Sequence, residues 1–176
     1  VLADMLDEIG LPKGVFNLIS GHGREIGETL ASHAEVDMVS FTGSTNAGIR
    51  VSELAAPSVK RVTLELGGKS ANIILDDADI PRAASSAIYS CFGNSGQECS
   101  ALTRLLAPED SREEVVDIIA SKIGRYTVGD PMDGTSKCGP LVSKKQQDIV
   151  STYISTGIDE GATLVAGGEG MPDGLD

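Results

Sequence analysis

Residues 38–68 are MVSFTGSTNAGIRVSELAAPSVKRVTLELGG, and this stretch decides the fold. Residues 38–41 are an apolar run typical of a strand, residues 45–56 have the pattern of a helix, and residues 61–66 are a second strand-like run that ends at a glycine pair. Two strands joined by a helix of this length pair in parallel through a right-handed crossover. The stretch therefore predicts an α/β fold built on a parallel sheet.

The same alternation continues on both sides of this stretch. Further strand-like runs lie at residues 15–19, 72–75, 102–107 and 163–165. Further helical segments lie at residues 1–9, 24–33, 79–91, 111–126 and 144–160. The pattern starts anew after Gly67 and Gly68, so we expect one domain over residues 1–66 and a second over residues 67–176.

Two of the downstream helices begin with capping signals. Asp79 precedes Pro81 by two positions, which suits an acidic N-cap followed by proline in the first turn. Ser111 and Glu114 have the spacing of a capping box. The sequence therefore predicts helix starts at both places.

Composition excludes several classes of protein. The chain has 176 residues, of which 40% are hydrophobic and 23% charged, as in a folded globular protein. A net charge of −12 argues against a nucleic-acid partner, because phosphate recognition needs a basic surface. No apolar run approaches the roughly 20 residues of a membrane span. There is no initiator methionine and no basic leader, and the C-terminal stretch is rich in glycine. We expect an internal piece of a larger protein without a signal peptide.

The cysteines and histidines do not suggest a disulfide framework or a metal site. Cys91, Cys99 and Cys138 are odd in number and irregularly spaced, and His22 and His33 lack companions at ligand spacing. A reducing, cytoplasmic location is the expectation. Cys91 and Cys138 are interpreted as structural.

Two glycine-containing turns are candidate cofactor sites. In GHGREIG, Gly21, Gly23 and Gly27 follow a predicted strand and open a helix, one residue away from the usual dinucleotide spacing. An ordinary strand–helix turn explains them equally well. In FTGSTNAG (residues 41–48), a strand ends at Gly43 and Ser44 lies at a helix cap, where free N–H groups favour an anion. Here the alternative is a plain capped helix.

Two further residues have the chemistry of catalysis. Glu65 interrupts an apolar strand at its carboxyl end, the edge where open α/β sheets bind ligands, and a carboxylate there can act as a general base. Cys99 follows the flexible polar run GNSGQE at residues 93–98, a placement that gives a thiol access to substrate. A solvent-facing glutamate and an inert cysteine are the alternatives that the residues alone leave open.

Three motifs in this order resemble those of the aldehyde dehydrogenase superfamily. They are FTGST at residues 41–45, LELGGKS at residues 64–70 and GQEC at residues 96–99. The step of 34 residues from Glu65 to Cys99 also matches that family, and LPKGVFN at residues 11–17 extends the resemblance over nearly the whole chain. Glu98 lies at a position that varies in the family.

The resemblance implies a mechanism and a cofactor. Cys99 is implied as the nucleophile that forms a thiohemiacetal, with NAD or NADP as hydride acceptor, and Glu65 as the base that activates water. The implied cofactor-binding residues are Gly21, Gly23, Gly27, Gly43, Ser44, Gly48 and Leu66. Residues 1–66 then form the second part of a Rossmann-like dinucleotide-binding domain, and residues 67–176 form the first part of an α/β catalytic domain.

The resemblance also leaves alternatives. A CoA-acylating semialdehyde dehydrogenase is the nearest, although Glu65 favours water as the acyl acceptor. A chain that is non-catalytic by itself is the other, since the family's oxyanion asparagine and ribose-binding lysine and glutamate have no counterpart here. A small-molecule aldehyde is the implied substrate, and a dimer or tetramer is the expected state of the full-length protein.

Overall fold

The structure is a computed structural model that describes residues 1–168 and residue 170. Its contacts divide the chain into two compact units, which meet in sequence between Gly67 and Gly68. The first unit contains α1 (Leu2–Glu8), a π-helical turn (Gly23–Gly27) that continues into α2 (Glu28–Ser32), β1 (Met38–Gly43), α3 (Thr45–Ala55) and β2 (Arg61–Leu66). The second contains β3 (Ala71–Ile73), α4 (Ile80–Phe92), β4 (Arg104–Leu106), α5 (Arg112–Ile123) and α6 (Lys144–Asp159).

The first unit is built on a parallel strand pair covered by α3. Strand β1 pairs with β2 in parallel, so the predicted strand–helix–strand arrangement is confirmed. Helix α3 buries Gly48, Val51 and Ala55, which share one face of the helix because they are three and four positions apart. That face packs on both strands. The carboxyl ends of β1 and β2 therefore lie directly beside the start of α3.

The second unit repeats the pattern with a shorter parallel pair, β3 and β4. Its core consists of Ile74, Ala84 and Val115, each at most 5% exposed. Ala84 lies on α4 and Val115 on α5, so the two helices share this core beside the strands. Asp79 caps α4 as predicted, because its carboxylate accepts the Arg82 N–H at 3.0 Å. This pairing of parallel strands with helices confirms the predicted α/β class.

Three local predictions are wrong. Residues 15–19 and 163–165 are not strands, and Val15 and Leu18 are 66% and 71% exposed. A strand needs a hydrogen-bonded neighbour, and none of the described strands pairs with either segment. The capping box also does not form, because the Ser111 hydroxyl donates to the Pro108 carbonyl at 3.2 Å instead of accepting from α5. None of the described helices is long and apolar enough to cross a membrane.

Candidate active site

The carboxyl ends of β1 and β2 bring several predicted site residues together. The register pairs Gly43 with Leu66 and Thr42 with Glu65. The Gly67 N–H donates to the Gly43 carbonyl at 3.3 Å, which continues this pairing into the glycine turn. Glu65 and Leu66 thus lie beside the strand end from which the chain enters α3. Side chains alternate along β2, and that of Glu65 is on its exposed face.

The start of α3 has the geometry of an anion site. Ser44 is the N-cap, and its hydroxyl accepts the Ala47 N–H at 3.3 Å. The Ser44 carbonyl accepts the Gly48 N–H at 2.9 Å, which closes the first turn. The N–H groups of Thr45 and Asn46 precede these bonded amides at the positive end of an 11-residue helix. This end of the helix can therefore accept a phosphate group.

Gly48 has a packing role at the contact between α3 and β2. A Cβ built on Gly48 would lie 2.7 Å from Leu66 Cδ2 and 3.1 Å from Leu66 Cδ1. The absence of a side chain therefore lets α3 approach β2, where Leu66 ends the strand. Gly43 also has no room for a side chain, because its Cβ would lie 2.5 Å from the ring of Phe41 on the same strand.

The glycines at 21, 23 and 27 are only partly as predicted. The helix that they open is present, but it begins as the π-helical turn Gly23–Gly27, and no strand precedes it. A Cβ on Gly21 would collide with the Ile26 side chain, whereas Gly23 and Gly27 have open space where a Cβ would be. Gly21 thus packs closely against the Ile26 side chain at the start of this helical segment. The role of the three glycines near the adenosine end of a cofactor stays a prediction.

Cys99 lies in the second unit, in a segment that we call the Cys99 loop (residues 93–101). Helix α4 ends at Phe92, and the chain then turns through three left-handed residues, Asn94 (φ 46°), Ser95 (φ 57°) and Gly96 (φ 72°). Left-handed backbone is unfavourable for residues other than glycine, with asparagine the best tolerated. After this turn the chain brings Cys99 to the surface, where it is exposed and free.

Side chains of the Cys99 loop bond to a distant segment, residues 139–142. Gln97 Oε1 accepts the Val142 N–H at 2.8 Å, and Gln97 Nε2 donates to the Pro140 carbonyl at 3.4 Å. The Ser95 hydroxyl donates to the Gly139 carbonyl at 2.9 Å. The sequence reasoning missed these contacts, because a glutamine in a polar loop carries no signal for a partner more than forty residues away.

The other two cysteines are less accessible than Cys99. Cys91 is half-buried on α4, and burial raises the pKa of its thiol, an effect that the charge of Lys69 partly opposes. Cys138 is buried, and burial likewise raises the pKa of its thiol despite a hydrogen bond with Ser95. Since the thiolate is the nucleophilic form, both environments disfavour reaction. Exposure thus distinguishes Cys99 from the other two.

The remaining acidic and basic groups around the loop do not suggest a metal. Within the described residues, no three His, Cys, Asp or Glu side chains cluster closely enough to hold a metal ion. Glu98 folds back toward Gly93, where its carboxylate oxygens lie 3.5 and 3.6 Å from the position that a Cβ would take.

The chain belongs to the aldehyde dehydrogenase family, which it matches over residues 1–176. A 3-succinoylsemialdehyde-pyridine dehydrogenase from a Pseudomonas species is 51% identical over 100% of this chain and 37% of that protein. A putative aldehyde dehydrogenase of Staphylococcus haemolyticus is 45% identical over 99% of this chain and again 37% of its own length. The chain thus spans just over a third of the curated relatives it matches.

Solved structures of the family have the same fold. Aldehyde dehydrogenase C of Pseudomonas syringae, a cysteine-to-alanine mutant complexed with NAD+ and octanal, is 45% identical with a TM-score of 0.95. That match covers 98% of this chain and 36% of the other. Betaine aldehyde dehydrogenase of Staphylococcus aureus, in complex with NAD+, is 35% identical over 99% of this chain and 34% of its own, with a TM-score of 0.94. The predicted Rossmann-like α/β class agrees with these structures.

Proposed function

We propose that this chain supplies the nucleophile and part of the cofactor surface of an enzyme that oxidises an aldehyde to a carboxylic acid with NAD or NADP. The observation that carries the proposal is an exposed thiol, Cys99, in a GQEC motif within a chain that matches the aldehyde dehydrogenase family throughout. Relatives solved with NAD+ support the choice of cofactor. In this proposal, residues 1–66 belong to the cofactor domain and residues 67–176 to the catalytic domain.

Cys99 performs the covalent chemistry in this proposal. Its thiolate attacks the aldehyde carbon, the C=O π bond breaks and a thiohemiacetal oxyanion forms. The Cys99 backbone N–H is a donor for that oxygen, one part of an oxyanion hole. NAD+, when bound, supplies the acceptor for the hydride that leaves the same carbon. Cys99 then carries a thioester.

Glu65 is proposed to complete the cycle. Its carboxylate takes a proton from water, the resulting hydroxide attacks the thioester carbon, and the C–S bond breaks to release the carboxylic acid and free Cys99. The position of Glu65 at the carboxyl end of β2, on the exposed face, supports this role because water reaches the carboxylate there. A carboxylate at this point also favours water over CoA as the acyl acceptor.

The start of α3 fits part of a dinucleotide. Gly43, Ser44 and the free first-turn N–H groups would hold the pyrophosphate, and the Leu66 carbonyl would bond the nicotinamide amide. Gly48 would contribute indirectly, by letting Leu66 pack close to the helix. Gly21, Gly23 and Gly27 would lie toward the adenosine end. Because the chain has no counterpart of the family's ribose-binding residues, we expect the isolated 176-residue chain to be inactive.

Replacement of Cys99 and Glu65 tests this proposal in the protein that carries this sequence. We expect Cys99→Ser to abolish aldehyde-dependent reduction of NAD+, while Cys91→Ser, the matched control, keeps it. Glu65→Gln should accumulate a Cys99 acyl adduct detectable by mass spectrometry, because water attack is slowed after the thioester has formed. Activity that survives in Cys99→Ser would refute the nucleophile assignment.

The acyl acceptor needs its own measurement. Turnover of an aldehyde with NAD+ is compared with and without CoA, and we expect the same rate in both, with carboxylic acid as the product. A strict requirement for CoA would reject water as the acceptor and favour the CoA-acylating alternative. The predicted dimer or tetramer is checked by light scattering on the same preparation, and the predicted cytoplasmic location by cell fractionation.

A further inference from the structure

The Cys99 loop holds one residue, Ser95, in a left-handed conformation that serine rarely adopts. Three successive left-handed residues, Asn94, Ser95 and Gly96, direct the chain from α4 toward Cys99. Non-glycine residues in this region of conformational space persist where surrounding contacts determine them. Within the loop, the Gln97 N–H donates to the Asn94 carbonyl at 3.1 Å and the Ala101 N–H to the Glu98 carbonyl at 3.2 Å. These bonds define the turn but do not attach it to the rest of the unit.

Gln97 and Ser95 attach the loop to residues 139–142 by side-chain hydrogen bonds. The amide orientation of Gln97 follows from its partners, since the Val142 N–H can donate only to an oxygen and the Pro140 carbonyl can accept only from the nitrogen. The Ser95 hydroxyl adds a bond to the Gly139 carbonyl next to the buried Cys138. Both side chains therefore connect the loop to one segment, residues 139–142, which precedes the N-cap of α6 at Ser143.

Cys99 depends on this attachment because it presents two groups at once. Its thiol is exposed, and among the residues that the structure describes its backbone N–H has no hydrogen-bond acceptor. A carbonyl group attacked by the sulfur can receive that N–H only if the loop backbone keeps a fixed orientation. Gln97 lies two positions before Cys99, where the turn at residues 94–97 ends and the turn at residues 98–101 begins.

We propose that Gln97, assisted by Ser95, is a positioning residue that fixes the Cys99 loop against residues 139–142, so that the thiol and backbone N–H of Cys99 act on one carbonyl group together. This inference rests on the proposed function, because it takes Cys99 as the nucleophile. It assigns no direct contact with substrate to Gln97. Its effect passes through the loop backbone.

Two reactions of Cys99 separate positioning from simple thiol reactivity in the protein that carries this sequence. p-Nitrophenyl acetate acylates the thiolate through a tetrahedral oxyanion, whereas iodoacetamide alkylates it by displacement of iodide without an oxyanion. Both need the thiolate, so a change in thiol ionisation cancels in the ratio of the two rates. We expect Gln97→Leu to lower the acylation-to-alkylation ratio at Cys99 by about tenfold. This is less than the roughly 10²–10³-fold loss caused by removing an oxyanion-hole donor, because the Cys99 N–H remains and only its orientation is loosened.

Matched variants and site-resolved detection complete the test. Gln146→Leu, the same change outside the loop, should leave the ratio unchanged. Gln97→Glu keeps an oxygen for the Val142 N–H and should restore at least half of the ratio. Labelling is followed for each cysteine by mass spectrometry, and Cys138 should stay protected. If Gln97→Leu exposes Cys138, the variant is misfolded and Ser95→Ala is measured instead, with the same expectation of a lowered ratio. That variant removes the bonds of the Ser95 hydroxyl to the Gly139 carbonyl and to Cys138.

The inference and the proposed function fail in different ways. The positioning role is overturned if the acylation-to-alkylation ratio of Gln97→Leu stays within twofold of that of the parent. The same criterion applies to Ser95→Ala where it replaces that variant. Either result would leave Cys99 as the nucleophile. If Cys99 of the parent has the same acylation-to-alkylation ratio as free cysteine, its backbone N–H does not assist acylation. That result would also overturn the positioning role. Aldehyde oxidation that survives in Cys99→Ser would reject the nucleophile itself.

Discussion

Replacing Gly48 by alanine tests the contact between α3 and the end of β2. An added Cβ would lie 2.7 Å from Leu66 Cδ2, 3.1 Å from Cδ1 and 3.5 Å from Cγ. Carbon atoms in contact prefer a separation of about 3.5–4.0 Å, so both methyl groups of Leu66 must move. Leu66 ends β2 in register with Gly43, which limits how far its backbone can yield. The substitution therefore forces Leu66 into another rotamer or moves the helix away from the strand.

Two opposing terms determine the change in stability. Alanine in place of glycine within a helix stabilises it by about 1 kcal/mol. Overpacking a well-filled contact costs about 1–3 kcal/mol. The midpoint of the second range exceeds the first term, so we expect Gly48→Ala to destabilise the first unit by about 1 kcal/mol.

Gly27→Ala is the matched control in the same unit. Gly27 has helical angles (φ −63°, ψ −44°), and nothing lies within 4 Å of the position that its Cβ would take. Only the favourable term applies, so this variant should be more stable by about 1 kcal/mol. The two alanine variants are thus expected to change stability in opposite directions.

Urea and thermal unfolding followed by circular dichroism measure both variants. A change of 1 kcal/mol shifts the midpoint temperature of a unit of this size by about 4–8 °C. The variants should therefore differ by roughly twice that shift. Equal stabilisation by Gly48→Ala and Gly27→Ala would refute the close approach of α3 to Leu66.

Further predictions concern one helix cap, three thiols and one loop carboxylate. Asp79→Ala should destabilise the second unit by about 1 kcal/mol in urea unfolding, and Asp79→Asn, which keeps an acceptor for α4, by no more than a few tenths. At pH 8, iodoacetamide should modify exposed Cys99 before Cys91 and Cys138, because burial raises the pKa of the latter two thiols; equal labelling by mass spectrometry would contradict this. Backbone N–H groups of Thr135 and Ser136 lower the pKa of Asp133, so its stabilisation is present above the ordinary carboxyl pKa and is lost as pH falls below about 4. Asp133→Asn should therefore show a smaller loss of urea resistance between pH 5 and pH 3 than the parent chain.

Elements with a local cause could be predicted from the sequence. Residues 38–66 carry apolar periodicity that changes from strand to helix and back, and the structure places β1, α3 and β2 there. The caps at Ser44 and Asp79 also follow from adjacent residues, since each side chain bonds an N–H three positions later. The grouping of Glu65, Leu66 and Gly43 at one strand edge then results from parallel pairing in register.

Features that depend on distant partners could not be predicted. Residues 15–19 have strand composition, but composition does not supply the neighbouring strand that would bond them. Ser111 and Glu114 have capping-box spacing, yet the Ser111 hydroxyl bonds backward to Pro108. The left-handed turn at residues 94–96 and the bonds of Gln97 likewise require residues 139–142, which no local pattern identifies.

The bonds of the Cys99 loop have a consequence for the order of folding. Ser95 and Gln97 reach partners 43 to 45 positions later in the chain. Closing a loop of that length costs entropy before the bonds form, so contacts of this kind are made late. During synthesis, Cys99 is added to the chain before Pro140 and Val142 exist, and the backbone bonds within α4 (Ile80–Phe92) are local. In the proposed function, the nucleophilic thiol is therefore made before the contacts that orient it, and we expect the site to become competent only after the chain has extended beyond Val142.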